Sequence, residues 1–379
     1  MRTYAMERAR DRIAALTQEG VDLATLWREA SAVIEPVISH YGGACWYTLD
    51  PASLLITSHF NEHMPELPRE ALTHEYYVDD VNKLADIARS AAGISTLHEA
   101  TGGDPSASPR WQANMEMGGD QELIAVLRTG AGVAWGGLGL YREPGEPMFD
   151  ADEIAWVRAI APLLGSGARR ALLLGEASDP EGPQSPGLLV LTAAGEVESA
   201  TPGVADWVSD LPGGDWDAGR LPPAIQSVAA QALRSAEGRN AAGEVAVARV
   251  LTRSGTWVVL HGATLVSAGS QRIAVIVEPA HIARIAPLLM SAYGLTEREQ
   301  DVTRLVLQGE STAAIAERLV VSPHTVQQHL KSIFEKTAVN SRRDLVGKVF
   351  FSYYEPRLRD NEVRVPQDKP LRGGPLAPG

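Results

Sequence analysis

The chain has 379 residues, 45% of them hydrophobic, and 34 Lys+Arg against 47 Asp+Glu give a formal net charge of −13. That length exceeds one ordinary domain and implies two or three with real cores, while no apolar run is long enough for a membrane helix. Cys45 is the only cysteine, which excludes a disulfide framework and a multi-thiolate metal site; MRTYAMERARDRI lacks the apolar core of a secretory signal, so a cytoplasmic location with no membrane partner is expected.

Residues 1–21 read as a helical extension. The Arg-rich stretch 2–19 ends at Gly20, and Glu7, Asp11 and Glu19 dilute its charge, which fits a solvated or dimer-contacting helix better than a nucleic-acid arm. From Asp22, the residues Leu23, Leu26, Trp27, Ala30, Val33, Ile34, Val37 and Ile38 follow helical spacing, with Pro36 as a kink or stop. GGACWYTLD and SLLITSHF predict two strands joined at Asp50-Pro51, and DQELIAVLRTG and GVAWGGLGLYREPG predict another pair after a mixed region. A long helix should run from Ala151 to about Leu174. The segment Trp135-Gly136-x-Leu138-x-Leu140-x-Arg142, followed by Phe149 and Glu153, resembles the late strand and final helix of GAF domains, over about residues 22–175. The resemblance implies a cup between sheet and covering helices that can hold a small molecule, and terminal helices that often form a dimer bundle.

Residues 176–186, EASDPEGPQSP, have the composition of a linker. Two short strands with an Ala-Gly turn then follow from Gly187, a short helix over Pro202–Val208, a helix after Pro223, and three strands, EVAVARVLTRSG, TWVVLHGATLV and QRIAVIVEP. This order and size resemble a PAS domain over residues 187–280, in which His261 reads as a packing residue and not a haem ligand. A connecting helix over 281–293, with Ile282, Ile285, Ala286 and Leu289 on one stripe, joins it to the C-terminal unit.

Residues 294–354 carry the most specific pattern. Thr296 can cap a helix with Glu299 as its box partner, and Gly309 stops that helix. Ser311 or Thr312 can start the next, with Ile315, Ala316 and Leu319 as its buried stripe. Ser322-Pro323 opens a third helix to about Thr337, which buries Val326, Leu330, Ile333 and Phe334 and leaves Thr325, Gln327, Gln328, Lys331 and Ser332 on exposed or partly exposed faces. Two short helices joined by a tight turn, the second displaying amide and basic side chains, make a helix-turn-helix, and such side chains can bond base edges in the major groove.

Leu295-Thr296-x-Arg298-Glu299, Gly309, Ile315-Ala316, Leu319, Ser322, Thr325-Val326, His329 and Lys336, in this order and spacing, resemble the DNA-binding domain of LuxR-type transcriptional regulators. The resemblance implies a four-helix unit with Pro323–Thr337 as recognition helix and a fourth helix, from Ser341 to about Phe351, that usually helps dimerise. It places Gln327, Gln328 and Lys331 against DNA. Thr337 departs from the leucine common there, and Gln327 from a frequent lysine. Ser322, Thr325, Arg342 and Arg343 complete the candidate DNA-binding residues. Residues 355–379 are polar, rich in proline and glycine, and expected to be disordered.

The acidic total divides unevenly. Residues 291–354 hold eight Lys+Arg and seven Asp+Glu, and the tail from 355 holds five and four, leaving about −15 on residues 1–290. Three of the five lysines, Lys331, Lys336 and Lys348, lie in the C-terminal unit. Phosphate contact requires such a local cluster, whereas the front should avoid nucleic acid.

His59 and His63 stand four apart, with His74, His98 and Cys45 elsewhere, but Pro65 and the strand-like approach to Phe60 argue against a helix that would put the first two on one face. No nucleophile elbow, P-loop or dinucleotide fingerprint has its proper context. The Gly-Gly pairs at 42, 102, 118, 136 and 213 read as turns, and no enzyme, metal or fixed cofactor is expected. The aromatics Trp46, Tyr47, Phe60, Tyr76, Trp111 and Trp135 could line an apolar cup or pack as core, and Trp46, Phe60, Trp111 and Trp135 are the candidate ligand-contacting residues. The expected fold is multidomain α+β, with GAF-like and PAS-like α/β sensor domains before an all-α helix-turn-helix domain. The expected function is a homodimeric transcription regulator with double-stranded DNA, RNA polymerase and an unidentified small-molecule effector as partners. The alternative is a protein-interaction scaffold that takes no small molecule and uses its C-terminal unit to sit on DNA.

Overall fold

The computed structural model describes residues 2–19, 21–63, 69–130, 132–174, 186–240, 244–267, 270–280, 290, 293–307, 309–342 and 344–345. The expected linker up to residue 185, the connecting helix from 281, the fourth helix beyond Leu345, and the tail lie outside those residues. The chain divides into two compact units, one made of Met1–Gly175, Ser185–Arg253 and Trp257–Pro279, the other containing Ala280–Gly379.

The front unit contains two five-stranded antiparallel sheets. The first holds β1 (Tyr41–Leu49), β2 (Ile56–Phe60), β3 (Ile94–Thr96), β4 (Gln121–Arg128) and β5 (Ala134–Arg142), in the order β2-β1-β5-β4-β3. The second holds β6 (Gly187–Thr192), β7 (Val197–Ala200), β8 (Val247–Leu251), β9 (Trp257–Ser267) and β10 (Ser270–Pro279), in the order β7-β6-β10-β9-β8. Strand for strand, the two sheets share one topology: second, first, fifth, fourth, third.

β4 and β5 are buried along almost their whole length, because the first sheet is covered on both faces. On one face lie α1 (Arg2–Leu16), α2 (Leu23–Ile34) and α7 (Ala151–Leu174). Asp22 caps α2 by accepting from the Thr25 amide at 3.0 Å, and Pro36 lies just beyond its last turn. The apolar stripe of α1, Met6, Ala9, Ile13 and Leu16, is buried within the same chain. Trp156 Nε1 of α7 donates to the Met6 carbonyl at 2.7 Å, and Arg170 donates to the Thr17 carbonyl at 2.9 Å. The segment expected as a separate extension is thus part of the first sheet's cover.

The opposite face is covered by α3 (Arg69–Tyr76), α4 (Leu84–Arg89) and α6 (Pro109–Glu116), with the short α5 (Leu97–Ala100) at the β3 edge. All four fall in the region where the sequence showed only a mixed pattern. Two Gly-Gly pairs correct expectations, because Gly42-Gly43 lies inside β1 and Gly136-Gly137 inside β5, and neither in a turn. A Cβ on Gly136 would stand 2.5 Å from the Tyr47 carbonyl oxygen, and one on Gly137 the same distance from Leu84, so the strand needs bare backbone on both faces.

In the second half, α8 (Val204–Asp210) follows β7, and α9 (Pro223–Ala236) packs across β8, β9 and β10. α9 also packs on α3 and β2, so a single buried cluster includes Leu72 and Tyr76 with Val228, Ala229 and Leu233. The Asp50 side chain, fully buried at the end of β1, accepts from the Arg249 amide at 2.8 Å and from its guanidinium at 2.9 Å, as well as from the Ala52 amide.

Removing Asp50 takes a buried carboxylate acceptor away from the Arg249 amide and guanidinium and from the Ala52 amide, and a hydrogen bond to a charged group contributes about 1.5–3 kcal/mol. Asp50→Ala should lower the front unit's stability by that order. All eight tryptophans lie before residue 258, so urea unfolding followed by tryptophan fluorescence reads this unit alone. A change below about 1 kcal/mol would show that the pair contributes little net stability.

Candidate functional site

The C-terminal unit contains α10 (Glu297–Leu307), α11 (Thr312–Leu319) and α12 (Pro323–Thr337). Each start signal is satisfied locally. Thr296 and Glu299 form a reciprocal box, with the Thr296 amide donating to Glu299 Oε2 at 2.7 Å and the Glu299 amide to Thr296 Oγ1 at 3.4 Å. Ser311 accepts from the Ala314 amide, and Ser322 from the Thr325 amide at 3.0 Å, with Pro323 in the first helical position. Gly309 takes a φ of +84°, which ends α10. Between α11 and α12, Val320 holds a φ of +55° while 90% exposed, an unfavourable backbone angle for a β-branched residue, imposed by the tight turn.

Val326, Leu330 and Ile333 of α12 are buried against Val302 and Val306 of α10 and Ile315 and Ala316 of α11. This fixes the opposite face: Gln327, Gln328 and Lys331 are exposed, as is Ser322, and Thr325 is half-buried. Gln328 Nε2 lies 3.2 Å from His324 Nε2, one turn earlier. Arg342 is half-buried with Nε and Nη2 unpartnered, and Arg343 lies outside the described residues.

Ser332, half-buried, and Lys336, exposed along its stem, both direct their polar ends to α10. Ser332 Oγ donates to Glu299 Oε1 and Lys336 Nζ to Glu299 Oε2, both at 2.6 Å. Glu299 is 4% exposed. Burial pushes its carboxyl up, but the bonds from Lys336, Ser332 and Thr296 outweigh burial and hold it down at about 2. Thr337 keeps its hydroxyl satisfied while buried by donating to the Ile333 carbonyl at 2.7 Å, so the absent leucine leaves no unpaired polar group.

Residues 294–349 match the family described as bacterial regulatory proteins, luxR family. They are a LuxR-family helix-turn-helix domain. Over 54 residues the chain is 52% identical to an HTH-type transcriptional regulator of Mycobacterium tuberculosis, covering 14% of this chain and 6% of that protein. Over 56 residues it is 39% identical to the monoamine regulon transcriptional regulator of Klebsiella aerogenes, 15% of this chain and 25% of that one. The chain thus spans a small part of the length of these relatives, confined to the LuxR-type domain. Among solved structures, the crystal structure of the E. coli DhaR(N)–DhaL complex is similar over 74% of this chain and 90% of that one, at 12% identity and a TM-score of 0.23, too loose a superposition to assign a shared fold.

Far from the LuxR-type domain in sequence, the face of the first sheet beneath α3, α4 and α6 encloses a cavity of about 80 Å³. Its floor is Cys45 and Tyr47 of β1 with Glu122 and Tyr141 of β4 and β5. Arg110 from α6 reaches across to donate to Glu75 of α3 and to Glu122, each at 2.8 Å. Asn82 and Tyr141 also donate to Glu122, and the Leu84 amide donates to Glu75. Burial opposes the charge on Arg110, but Glu122 and Glu75 outweigh it and raise its pKa well above the ordinary value. Burial pushes the Cys45 thiol up to about 11 and the His59 imidazole down to about 4.

None of the four tryptophan and phenylalanine candidates lines this cavity. Trp46 points to the other face of β1, stacked on Trp27 at 4.6 Å between ring centres, with its Nε1 donating to Ser31. Trp135 is buried with its Nε1 unpartnered, Trp111 donates to Asp120 at 2.8 Å, and Phe60 pairs with Trp46 across the β1–β2 ladder. Tyr47, one of the aromatics suited to a cup by sequence but not among the four candidates, does line the cavity, and His59, Arg110 and Asn114 are lining side chains that sequence reasoning passed over as ligand contacts. Strand parity held one usable signal, since Trp46 and Tyr47 are adjacent and cannot face the same side. Among the described residues, no group of three or more His, Cys, Asp or Glu could hold a metal ion, and no helix is long and apolar enough to cross a membrane.

A carboxyl with a depressed folded pKa stabilises above its unfolded pKa and loses that contribution as pH falls. Glu299→Gln should therefore reduce hydrogen-exchange protection of α12 at pH 7 by about 1–3 kcal/mol. The gap between variant and parent should shrink as pH drops from about 4.5, the unfolded value, toward 2. A gap that does not change over that range would show that the charge on Glu299 is not what ties α10 to α12.

Proposed function

We propose that this chain is a DNA-binding transcription regulator and not an enzyme. In this reading two copies lay α12 in successive major grooves, and a small-molecule or protein signal received by the front unit sets the outcome. The carrying observation is the LuxR-family domain's third helix, whose outward face offers Gln327, Gln328 and Lys331 while its inward face is fixed by Val326, Leu330 and Ile333. Gln can bond an adenine edge with both amide atoms, and Lys can reach a guanine edge or a phosphate. Ser322 and Thr325 at the helix start, with Arg342 and Arg343 beyond its end, would hold the backbone and set the register. A homodimer would read two half-sites one helical turn apart and present both to RNA polymerase.

The two front sheets we read as GAF-like and PAS-like sensor halves, within a cytoplasmic protein. Their shared strand order and the cavity under α3, α4 and α6 support that reading. A cavity walled by apolar side chains and a few convergent polar groups favours a small-molecule signal over the interaction-scaffold alternative. Any such signal acts only through a different affinity for the DNA-binding and non-binding states.

DNA selected from genomic fragments by the full chain supplies a specific site for fluorescence anisotropy. Gln328→Ala should cost about 1–3 kcal/mol on that site and relax base preference at one position, leaving non-specific affinity nearly unchanged. Lys331→Ala should weaken specific and non-specific binding alike, and flatten the dependence of log K on log salt by about one. If both variants match the parent on the selected site, α12 does not read DNA.

A further inference from the structure

Taking the front cavity as the place where a signal is received, as proposed above, we infer that its ligand is a neutral, ring-sized organic molecule carrying an oxygen acceptor, and that carboxylates and ammonium ions are excluded. Size follows from the space. The enclosed space of about 80 Å³ is roughly half of the ~150 Å³ that takes a whole benzene ring, so a ring seats there in part, its oxygen inward and its far edge at the mouth. Ile56, Leu72 and Leu84 make much of the wall, and the Tyr47 ring lies tilted against His59 with 5.4 Å between centroids. Tyr41 and Met117, 41% and 37% exposed, stand where the cavity meets the surface, so a molecule enters past apolar side chains.

Charge selection follows from what the wall has already spent. Arg110, the one arginine lining the cavity among the described residues, is shared by two carboxylates, so an incoming carboxylate finds no uncommitted guanidinium. Both oxygens of Glu75 and of Glu122 already accept hydrogen bonds, from Arg110, Leu84, Asn82 and Tyr141, so an ammonium ion would be desolvated for little return. Lys83 lies near Glu75 but off the cavity wall, with its Nζ bonded to the Val78 carbonyl.

Asn114 and His59, both on the cavity wall, carry buried polar atoms with no partner. Asn114 is 7% exposed and its Nδ2 has no partner, and His59 has none at either ring nitrogen. A buried amide donor without an acceptor costs about 1–3 kcal/mol. An oxygen on the ligand, placed against Asn114 Nδ2, removes that cost, and His59 can supply or accept a second bond according to its tautomer.

The test uses the full-length protein with phenol and with two ions each set against a neutral molecule of the same size, benzoate against benzamide and benzylammonium against benzyl alcohol. Calorimetry should show phenol binding at one site per chain, with each ion at least about tenfold weaker than its neutral counterpart. Asn114→Ala should weaken phenol by about 3- to 13-fold, the loss of one hydrogen bond. A second readout needs no variant: Cys45 is the sole cysteine and lies on the cavity floor, so phenol should slow its alkylation, followed by intact mass. Binding of either ion as tight as that of its neutral counterpart, or a phenol that gives neither saturable heat nor protection of Cys45, overturns the ligand class. Anisotropy on selected DNA with the same preparation separates the two readings. Specific DNA binding that survives a failed probe series leaves the regulator intact and removes only the ligand. Protection of Cys45 without specific DNA binding does the reverse.

Discussion

A single guanidinium shapes the front unit. Arg110 draws α6 toward α3 through Glu75 and toward β4 through Glu122, and both carboxylates are almost fully buried. Three elements distant in sequence therefore meet at one buried charge cluster, and their side chains cannot close down on the sheet beneath. The cavity is what remains. An all-apolar junction of the same volume would be as stable or more so, since buried ion pairs rarely gain net stability over packed hydrocarbon. What the cluster supplies is geometry, because its bonds are directional where dispersion contacts are not.

The LuxR-family domain solves a similar problem with the opposite charge at its centre. Glu299 is at once the box partner of Thr296 and the acceptor for Ser332 and Lys336, so one carboxylate starts α10 and sets the rotation of α12 about its axis. Rotation is what matters, since residues three or four apart share a face and a turn of about 100°, one residue, would exchange Gln327 and Lys331 for their neighbours. The hydrophobic stripe sets that rotation coarsely and the directional bonds to Glu299 set it finely.

These two clusters also mark the limit of what local sequence can reveal. The helices of the C-terminal unit are legible because their signals are a few residues apart: Thr296 with Glu299, Ser311 before Ala314, Ser322 before Pro323. The longer strands and α7 are legible for the same reason, through alternation and long apolar periodicity. By contrast α3, α4, α5 and α6 are four to eight residues each, too short for a period to declare itself, and they are held by partners such as Arg110 and Glu75, 35 residues apart. That Ser332 and Lys336 share a partner shows only when a carboxylate 33 and 37 residues earlier is brought beside them. The cavity was hidden for a further reason. In β1 both faces are buried, so alternation does not say which face is core and which is cup. Aromatic bulk then points to Trp46, whereas the fold uses that bulk to seat α2.

The same geometry gives the cavity a mechanical neighbour. α3 contributes Ala71, Leu72 and Glu75 to the wall, and through Leu72 and Tyr76 it shares a buried core with α9 of the second sheet. The turn after α3 is pinned to the same partner, with Asp79 bridging Arg234 and Arg239 at 2.7 and 2.9 Å, and Tyr77 bonding Glu237 at 2.7 Å. Asp50 and Arg249 fix the far side of the junction. A molecule that moved α3 outward by even a fraction of an ångström would have to move α9 as well, because packed interiors yield by shifting whole elements and not by compressing. The exposed bridges around Asp79 contribute little stability and can re-form at a new spacing, whereas the buried Asp50 pair cannot. The junction is therefore held by the Asp50–Arg249 pair and by the buried core that α3 shares with α9, and α3 is the element common to that core and to the cavity wall.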